Sequence, residues 1–221
     1  MVRDVLVEKA RAGVEVRLIY DDVGCWHVPN RFYDEMLSAG IEVRSFLKVR
    51  FPLFTSKVNY RNHRKIVVID GRVGFIGGMN LAERYMRGFS WGIWRDTHIL
   101  IEGKAVHGLQ TAFLLDWYFV DRTLITASRY FPKIESCGSS LVQVVTSEPI
   151  GPWKEIMQGL TMAINGAKKY FYMQTPYFLP TEQVLAAMQT AALAGVDVRL
   201  MLPERADNRI THLGSHSYLA D

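Results

Sequence analysis

Cysteine is scarce in this sequence and long apolar runs are missing, and each absence excludes a class of protein. Two cysteines, Cys25 and Cys137, stand among 221 residues, without a disulfide framework or a C-x-x-C pair for zinc, so a reducing compartment is expected. The longest apolar candidate, Leu109 to Val120, contains Gln110 and Asp116 and is shorter than the ~18–20 residues of a membrane span. The charged N-terminal residues have no signal-peptide core. We therefore expect a globular protein with no transmembrane segment in these residues.

The chain also has little excess of either charge, so its composition alone does not identify the class of partner. Lysine and arginine number 26 against 22 acidic residues, a formal net charge of +4. This mild excess favours phosphate-bearing partners without separating nucleic acid from phospholipid or a small substrate. Hydrophobic residues make up 49% of the chain, which is enough for a sizeable core and excludes a disordered or fibrous protein.

An internal repeat indicates two homologous halves. Residues 10–18 and 192–200 are identical at seven of nine positions, with an offset of 182 residues. In each copy a helix is expected to end at a glycine, Gly13 or Gly195, and an alternating apolar strand follows at once. Unrelated α/β proteins reuse such joints too, so that alternative stays open. The second copy stops at the equivalent of position 39 and is expected to be an incomplete half.

A β-hairpin is predicted in the region that the second copy does not reach. Two short apolar runs, Ile66–Ile69 and Val73–Ile76, flank Asp70 and Gly71, a pair typical of tight hairpin turns. Seven residues separate His63 from Asp70, so a regular strand would point the two side chains to opposite faces. We therefore expect Asp70 to act mainly through the turn.

Candidate chemistry lies at the open end of this hairpin. His63 and Lys65 are two residues apart, so on an extended strand an imidazole and an ammonium leave by one face and can meet one phosphate. Gly77 and Gly78, just before Asn80, would let backbone N–H groups approach an anion. A solvated surface pair and a bulge are the ordinary alternatives for these two features.

The spacing of these residues resembles the phospholipase D superfamily signature, His-x-Lys-x4-Asp-x6-Gly-Ser/Gly-x-Asn. The residues that carry the resemblance are His63, Lys65, Asp70, Gly77, Gly78 and Asn80. Within the superfamily, this motif together with WRDTHILIEGKAV, QTPYFLP and AALAGVDVRLMLP looks like bacterial cardiolipin synthases over essentially the whole chain. The resemblance implies an α/β fold with a phospholipase D-like mixed β-sheet flanked by helices. Gly78 replaces the serine of many superfamily members, which removes one hydroxyl donor.

The resemblance also implies a reaction: phosphatidyl transfer between two phosphatidylglycerol molecules, giving cardiolipin and glycerol through a phosphohistidine. His63, Lys65 and Asp70 are then the catalytic candidates. Gly77, Gly78 and Asn80 are the substrate-binding candidates.

No metal or cofactor is implied by this chemistry. Whether His63 is the nucleophile or the general acid stays open, with nucleophile preferred. Asp96 is the candidate acid that orients a histidine, with a cap as the equal alternative.

The family carries two such motifs, and by the repeat offset the second histidine would fall near position 245, outside the 221 residues. We therefore expect a piece of a longer enzyme that is inactive by itself. Two alternatives remain open. A dimeric phosphodiesterase or nuclease could use one motif from each chain, and a catalytically incomplete fragment could bind phosphate or lipid without turnover.

The resemblance implies an anionic membrane surface and phosphatidylglycerol as the partners and the bacterial inner membrane as the location. Residues 41–65 combine seven basic side chains and one acid with aromatic and aliphatic ones, a mixture suited to anionic lipid. The same mixture could bind nucleic acid, which is not expected here. The short helix expected over 81–87 adds charge more than lipid-facing surface. Oligomeric state stays unknown.

The division of the chain is predicted from composition. We expect a first half over 1–125, a linker over 126–140 and the start of the second half over 141–221. Besides the hairpin and the short helix, the expected elements are helices over 109–118 and 153–167 and strands over 141–146 and 170–175. Thr175 and Tyr177 follow the last of these strands and are candidates to line a lipid cleft.

Overall fold

The computed structural model describes residues 1–48, 61–135, 137–148, 151–205 and 207–219. The chain forms two compact units, Met1–Val144 and Val145–Asp221. Each unit combines helices with small sheets. The expected α/β class is therefore confirmed.

The first unit contains a parallel pair of strands, β1-β2, and a three-stranded antiparallel sheet, β3-β4-β5. Its elements are α1 (Val2–Arg11), β1 (Arg17–Asp21), α2 (Asn30–Ser38), β2 (Glu42–Phe46), β3 (Ile66–Ile69), β4 (Val73–Gly77), α3 (Arg84–Arg87), β5 (His98–Glu102) and α4 (Val106–Asp121). Two short 3-10 turns, Val23–Cys25 and Ser128–Tyr130, complete it.

Helix α4 is the centre of the first unit. Val106 and Leu109 are fully buried against the apolar face of the three-stranded sheet. A Cβ atom at Gly74 of β4 would lie 2.7 Å from Leu109 Cδ1, so a glycine there lets the helix pack closely on the strand. Trp117, further along α4, is also fully buried, and the centroid of its ring lies 5.4 Å from the Arg44 guanidinium carbon. The predicted buried helix over 109–118 is thus confirmed and extends to both sides.

The second unit places helices on a parallel pair of strands, β6-β7. Its elements are α5 (Glu155–Gly166), β6 (Tyr170–Gln174), α6 (Glu182–Leu193), β7 (Asp197–Met201) and α7 (Arg209–Ser217). Ile164 of α5 and Met188 of α6 belong to one buried cluster, which β6 and β7 cover with their apolar side chains. The helix and strand predicted over 153–167 and 170–175 are confirmed.

The repeated segment forms the same helix ending in both units. Gly13 has φ +92° and Gly195 has φ +87°, a backbone region that glycine adopts without steric cost. In the first copy Gly13 N–H donates to Ala10 O and Val14 N–H to Lys9 O. The second copy repeats both bonds at the same relative positions, around Gly195. This pattern of two bonds closes a helix and turns the chain into the next strand, as the sequence predicted.

Two sequence-based expectations about secondary structure were wrong. Residues 141–146 form no strand, although four of the six are apolar. Leu141 is fully exposed there, while Val144 packs beside α4, so the segment is a partly packed loop that pairs with no described strand. The helix expected over 81–87 begins three residues later than predicted, at Arg84, and is one turn long; it ends at Arg87, where Gly88 takes φ +70°.

The segment expected to act as a linker packs against the first unit. Tyr130 accepts a hydrogen bond from Arg17 and donates one to Glu15. The His107 ring nitrogen Nε2 lies 3.1 Å from the carbonyl oxygen of Pro132. A Cβ atom at Gly71, in the turn of the hairpin, would lie 2.5 Å from the carbonyl oxygen of Tyr130, so this segment also lies against the tip of the hairpin. The domain division of 1–125, 126–140 and 141–221 therefore stays a prediction about homology, whereas the compact units divide after Val144.

Candidate active site

The predicted hairpin is present, and its turn holds Asp70 away from the motif histidine. Asp70 and Gly71 both have positive φ, +53° and +64°, and Arg72 N–H donates to Ile69 O across the turn. Strand β3 separates this turn from Lys65, about 17 Å at ~3.4 Å per residue. Asp70 is exposed and is not brought together with His63. Its expected structural role stays a prediction that fits this placement.

His63 and Lys65 lie side by side immediately before β3. The Lys65 ammonium donates a 2.7 Å hydrogen bond to the backbone carbonyl of His63. Burial lowers the pKa of Lys65. Burial, with the positive charges of Lys65 and Arg61, lowers the pKa of His63 below its ordinary 6.5. Both effects favour the neutral imidazole, the state that a nucleophile requires.

The residues that alternate with the motif pair are anchored to helix α4. Asn62 donates a 2.9 Å side-chain hydrogen bond to one oxygen of Asp116, and the Arg64 guanidinium pairs with the other. Asp116 is 9% exposed. Because successive side chains of an extended segment leave by opposite faces, fixing Asn62 and Arg64 on α4 directs His63 and Lys65 away from it.

A second carboxylate holds the start of the motif. Asp21, the last residue of β1, accepts hydrogen bonds from the Arg61 guanidinium at 3.0 and 3.1 Å. It also accepts the backbone N–H of Asn62 at 3.1 Å and that of Gly24 at 2.6 Å. The carboxylate charge raises the pKa of His63, opposing the stronger lowering effects. Asp21 thus places the motif at the carboxyl end of a parallel strand, a common position for functional sites.

Asn80 and Asp96 belong to the same site as Lys65. Asn80 donates a 3.0 Å hydrogen bond to the hydroxyl of Tyr85. The charges of Tyr85 and Asp96 act on Lys65 and raise its pKa against the effect of burial. Asp96 also accepts the Thr97 N–H at 2.7 Å. The structure therefore groups three candidates, Lys65, Asn80 and Asp96, and shows the Asp96 charge acting on the lysine.

Gly77 and Gly78 make room for atoms of strand β5 and of the loop before it. A Cβ atom at Gly78 would lie 2.2 Å from an Asp96 carboxylate oxygen, and one at Gly77 would lie 2.4 Å from Thr97 O. The Gly78 N–H donates a 3.0 Å hydrogen bond to that same Thr97 carbonyl. The expected cradle therefore does not have this N–H to offer, and the glycine instead admits the Asp96 carboxylate.

Sequence reasoning missed Asp21, Asp116 and Tyr85 as members of the site. A detectable signal existed for Asp116, an acid inside an apolar helical run, which a buried partner must compensate. Asp21 stands directly after an apolar strand, where α/β folds place functional groups. Tyr85 gave no separate signal, because its contact with Asn80 depends on the chain path between β4 and α3.

The basic segment expected to face a membrane is partly used inside the fold. Arg44, Arg61 and Arg64 pair with Asp121, Asp21 and Asp116 respectively. Several other members of this surface lie outside the described residues: Arg50, Phe51, Leu53, Phe54, Lys57 and Tyr60. Segment 41–65 therefore presents fewer available cations than its composition indicated.

The described residues contain neither a cluster of metal ligands nor a membrane-spanning helix. Within them, no group of three or more His, Cys, Asp or Glu side chains is arranged to hold a metal ion. In the same part of the chain, none of the helices is both long and apolar enough to cross a membrane.

The pKa of His63 predicts a pH dependence of stability. The folded pKa lies below that of the unfolded chain, so the unfolded chain binds more protons near pH 6. Stability should therefore fall as the pH drops through about 6.5 toward the folded value. Urea unfolding of the wild type and of His63→Gln at pH 7.5 and 5 measures this loss, which should be smaller in the variant. Lys65→Met should also reduce it, and equal losses in all three proteins would contradict the assignment.

The hairpin with its histidine and lysine, beside helices and small parallel and antiparallel sheets, defines a phospholipase D-like domain. A family model described as "Cardiolipin synthase, PLD-like domain" matches residues 1–117 and 160–220, and the chain belongs to that family. The cardiolipin synthase of Geobacillus kaustophilus (strain HTA426) is 43% identical over 223 residues. The major cardiolipin synthase ClsA of Bacillus subtilis (strain 168) is 39% identical over 224 residues.

These comparisons also show how much of each relative the chain matches. Each alignment covers 100% of this chain, but only 44% of the Geobacillus relative and 46% of the Bacillus relative. The chain thus spans less than half the length of these curated relatives. Polyphosphate kinase from Porphyromonas gingivalis matches 94% of this chain and 30% of its own, with a TM-score of 0.53 and 15% identity, which shows the fold alone.

Proposed function

We propose that this chain supplies one half of the catalytic centre of a cardiolipin synthase, which transfers a phosphatidyl group between two phosphatidylglycerol molecules and releases glycerol. One observation carries the proposal: His63, whose pKa is lowered, lies beside Lys65 on a segment that Asp21 and Asp116 hold in place. A neutral imidazole next to a fixed ammonium suits attack on an anionic phosphodiester. Membership of the cardiolipin synthase family supports the choice of substrate.

In the proposed reaction, a nitrogen of His63 attacks phosphorus and the bond from phosphorus to the glycerol oxygen breaks. A protonated histidine from a second motif gives its proton to the departing glycerol oxygen. A hydroxyl of another phosphatidylglycerol then attacks the phosphohistidine, returns a proton to that second histidine and frees His63.

The other candidates stabilise charge and geometry. Lys65 and Asn80 bind the non-bridging phosphate oxygens, on which negative charge grows in the transition state. The Asp96 carboxylate lies against Gly78, its charge favours the protonated form of Lys65, and it is a candidate to orient the second histidine. Because protein cations neutralise the phosphate, the reaction does not require a divalent metal ion.

The proposed substrate fixes the surroundings of the enzyme. Phosphatidylglycerol resides in a bilayer and carries a negative charge, so the site must work at an anionic membrane surface. We propose the bacterial inner membrane as that location.

Lipid product analysis tests the proposal. The 221 residues joined to a second His-x-Lys-x4-Asp half should convert phosphatidylglycerol vesicles into cardiolipin and glycerol, resolved by thin-layer chromatography, with or without EDTA. The 221 residues alone should form none, because the proton donor and half of the phosphate ligands are missing. Cardiolipin formation by the short chain would contradict this reading. Loss of activity in EDTA with recovery on adding a metal would contradict the mechanism.

A further inference from the structure

Segment 79–95 lies between β4 and β5 and exposes large apolar side chains beside the proposed site. Ile93 is 88% exposed, Leu81 74% and Met86 64%. The sequence predicted that the short helix over 81–87 adds charge more than lipid-facing surface; Glu83 and Arg87 are exposed there, and so are Leu81 and Met86. Several large apolar side chains exposed on one short segment mark a surface for another protein or for lipid.

The segment is built to hold these side chains in place. Phe89 stacks on Trp91 with ring centroids 4.9 Å apart, and Trp94 packs edge-on against both rings. Phe89 and Gly92 exchange two backbone hydrogen bonds, of 2.8 and 3.1 Å, which close a tight turn. Trp91 remains 39% exposed although it is part of this cluster. The aromatic cluster therefore supports a fixed surface.

The position of the exposed side chains relates them to the phosphate ligands. Met79 and Leu81, both exposed, flank Asn80 in sequence, and the Asn80 amide is bound to Tyr85 of the same segment. A phosphodiester held by Asn80 and Lys65 would thus have apolar side chains next to its glycerol and acyl portions.

The charge and residue types of the segment favour a lipid surface over a protein partner. It contains three arginines and one glutamate. Arg87 pairs with Glu83 and stays largely exposed, directly after Met86 in the sequence. Tryptophan rings mixed with aliphatic and cationic side chains suit the boundary between headgroups and acyl chains of an anionic bilayer.

We propose that segment 79–95 is a lipid-docking loop, which inserts Leu81, Met86 and Ile93 into the interface of an anionic bilayer and so presents phosphatidylglycerol to Asn80 and Lys65. This inference rests on the proposed function for the identity of the lipid. The insertion itself follows from the exposed side chains and the net positive charge of the loop. It assigns membrane contact to residues other than the basic segment 41–65.

Vesicle flotation tests the loop with the full 221-residue chain. The wild type should float with vesicles of phosphatidylglycerol and phosphatidylcholine and much less with phosphatidylcholine alone. The Leu81→Ser/Ile93→Ser double variant should bind at least about tenfold more weakly, since two apolar side chains no longer enter the interface. The matched control is Leu193→Ser/Ile210→Ser, at residues 91% and 80% exposed in the second unit, which should float like the wild type.

A spectroscopic measurement on the folded wild type does not depend on how well that variant folds. Brominated acyl chains in the same vesicles should quench tryptophan fluorescence, and Trp91→Phe should remove a large part of the quenching. Failure of the wild type to float, equal loss in both double variants, or quenching independent of Trp91 would each overturn the docking loop and favour a protein partner for this surface.

Failure of the docking loop and failure of the proposed function give different results. Joined to a second motif half, the Leu81→Ser/Ile93→Ser variant should lose turnover on vesicles but keep it on monomeric short-chain phosphatidylglycerol. Equal loss on both substrates would overturn the docking role. A wild type that docks but forms no cardiolipin from either substrate would refute the proposed function and leave the docking loop standing.

Discussion

His63→Ala should abolish phosphatidyl transfer when the 221 residues are joined to a second motif half, with a loss of at least about a thousandfold. The substitution removes the nitrogen that forms the bond to phosphorus in the proposed reaction, and the neighbours that act on Lys65, Tyr85 and Asp96, carry no imidazole to replace it. The measurement is the initial rate of cardiolipin formation from radiolabelled phosphatidylglycerol. Quenched samples of the wild type should also carry covalently bound label, which the variant should lack.

The control for this prediction is Asp70→Ala, a substitution of the aspartate of the same motif. It lies in the turn about 17 Å of chain from Lys65, so this variant should melt at a lower temperature and keep most of its turnover when folded. An Asp70→Ala protein with normal melting and no turnover would show that Asp70 takes part in the chemistry. Covalent label persisting in His63→Ala would identify His63 as the general acid.

The sequence predicted the parts of the site that depend on neighbours along the chain. The hairpin follows from two apolar runs around Asp70 and Gly71, and both turn residues have the positive φ that such turns need. The pairing of His63 with Lys65 follows from a spacing of two residues. The helix ending at Gly13 recurs at Gly195 for the same local reason, a left-handed residue after the last turn.

The parts that sequence reasoning missed depend on contacts between distant residues. Asp116 meets Asn62 and Arg64 across more than 50 positions of the chain, and Asp21 meets Asn62 across 41. No periodicity encodes such contacts. Gly78 shows the same limit: the sequence could note that a hydroxyl is missing, but only the fold shows that the Asp96 carboxylate occupies the space.

The charged segment 41–65 shows why composition overestimates surface charge. Its basic residues include Arg44, Arg61 and Arg64, which compensate carboxylates on β1 and α4 inside the fold. A count of arginines cannot separate those that face solvent from those that hold two elements together. The exposed apolar side chains of segment 79–95 were missed for the opposite reason, because isolated apolar residues among charges look like ordinary core positions.

Asp116→Leu should be the most destabilising substitution at the site, with a loss of about 3 kcal/mol in the free energy of unfolding. The leucine keeps the size of the side chain but leaves the Arg64 guanidinium and the Asn62 amide without their acceptor. Urea unfolding of the 221-residue chain measures the loss. Asp121→Leu, which removes the partner of the more exposed Arg44 at the end of the same helix, should cost clearly less.

A double variant separates the two tasks of Asp116. Arg64→Met/Asp116→Leu replaces the whole ion pair by apolar side chains, which should recover much of the lost stability because no charge remains unpaired. Transfer activity, measured on the chain joined to a second motif half, should stay low, since Asn62 and Arg64 no longer fix the face on which His63 and Lys65 stand. Recovery of both stability and turnover would mean that the carboxylate only stabilises the fold. Recovery of stability alone would show that the α4 carboxylate sets the position of the attacking imidazole.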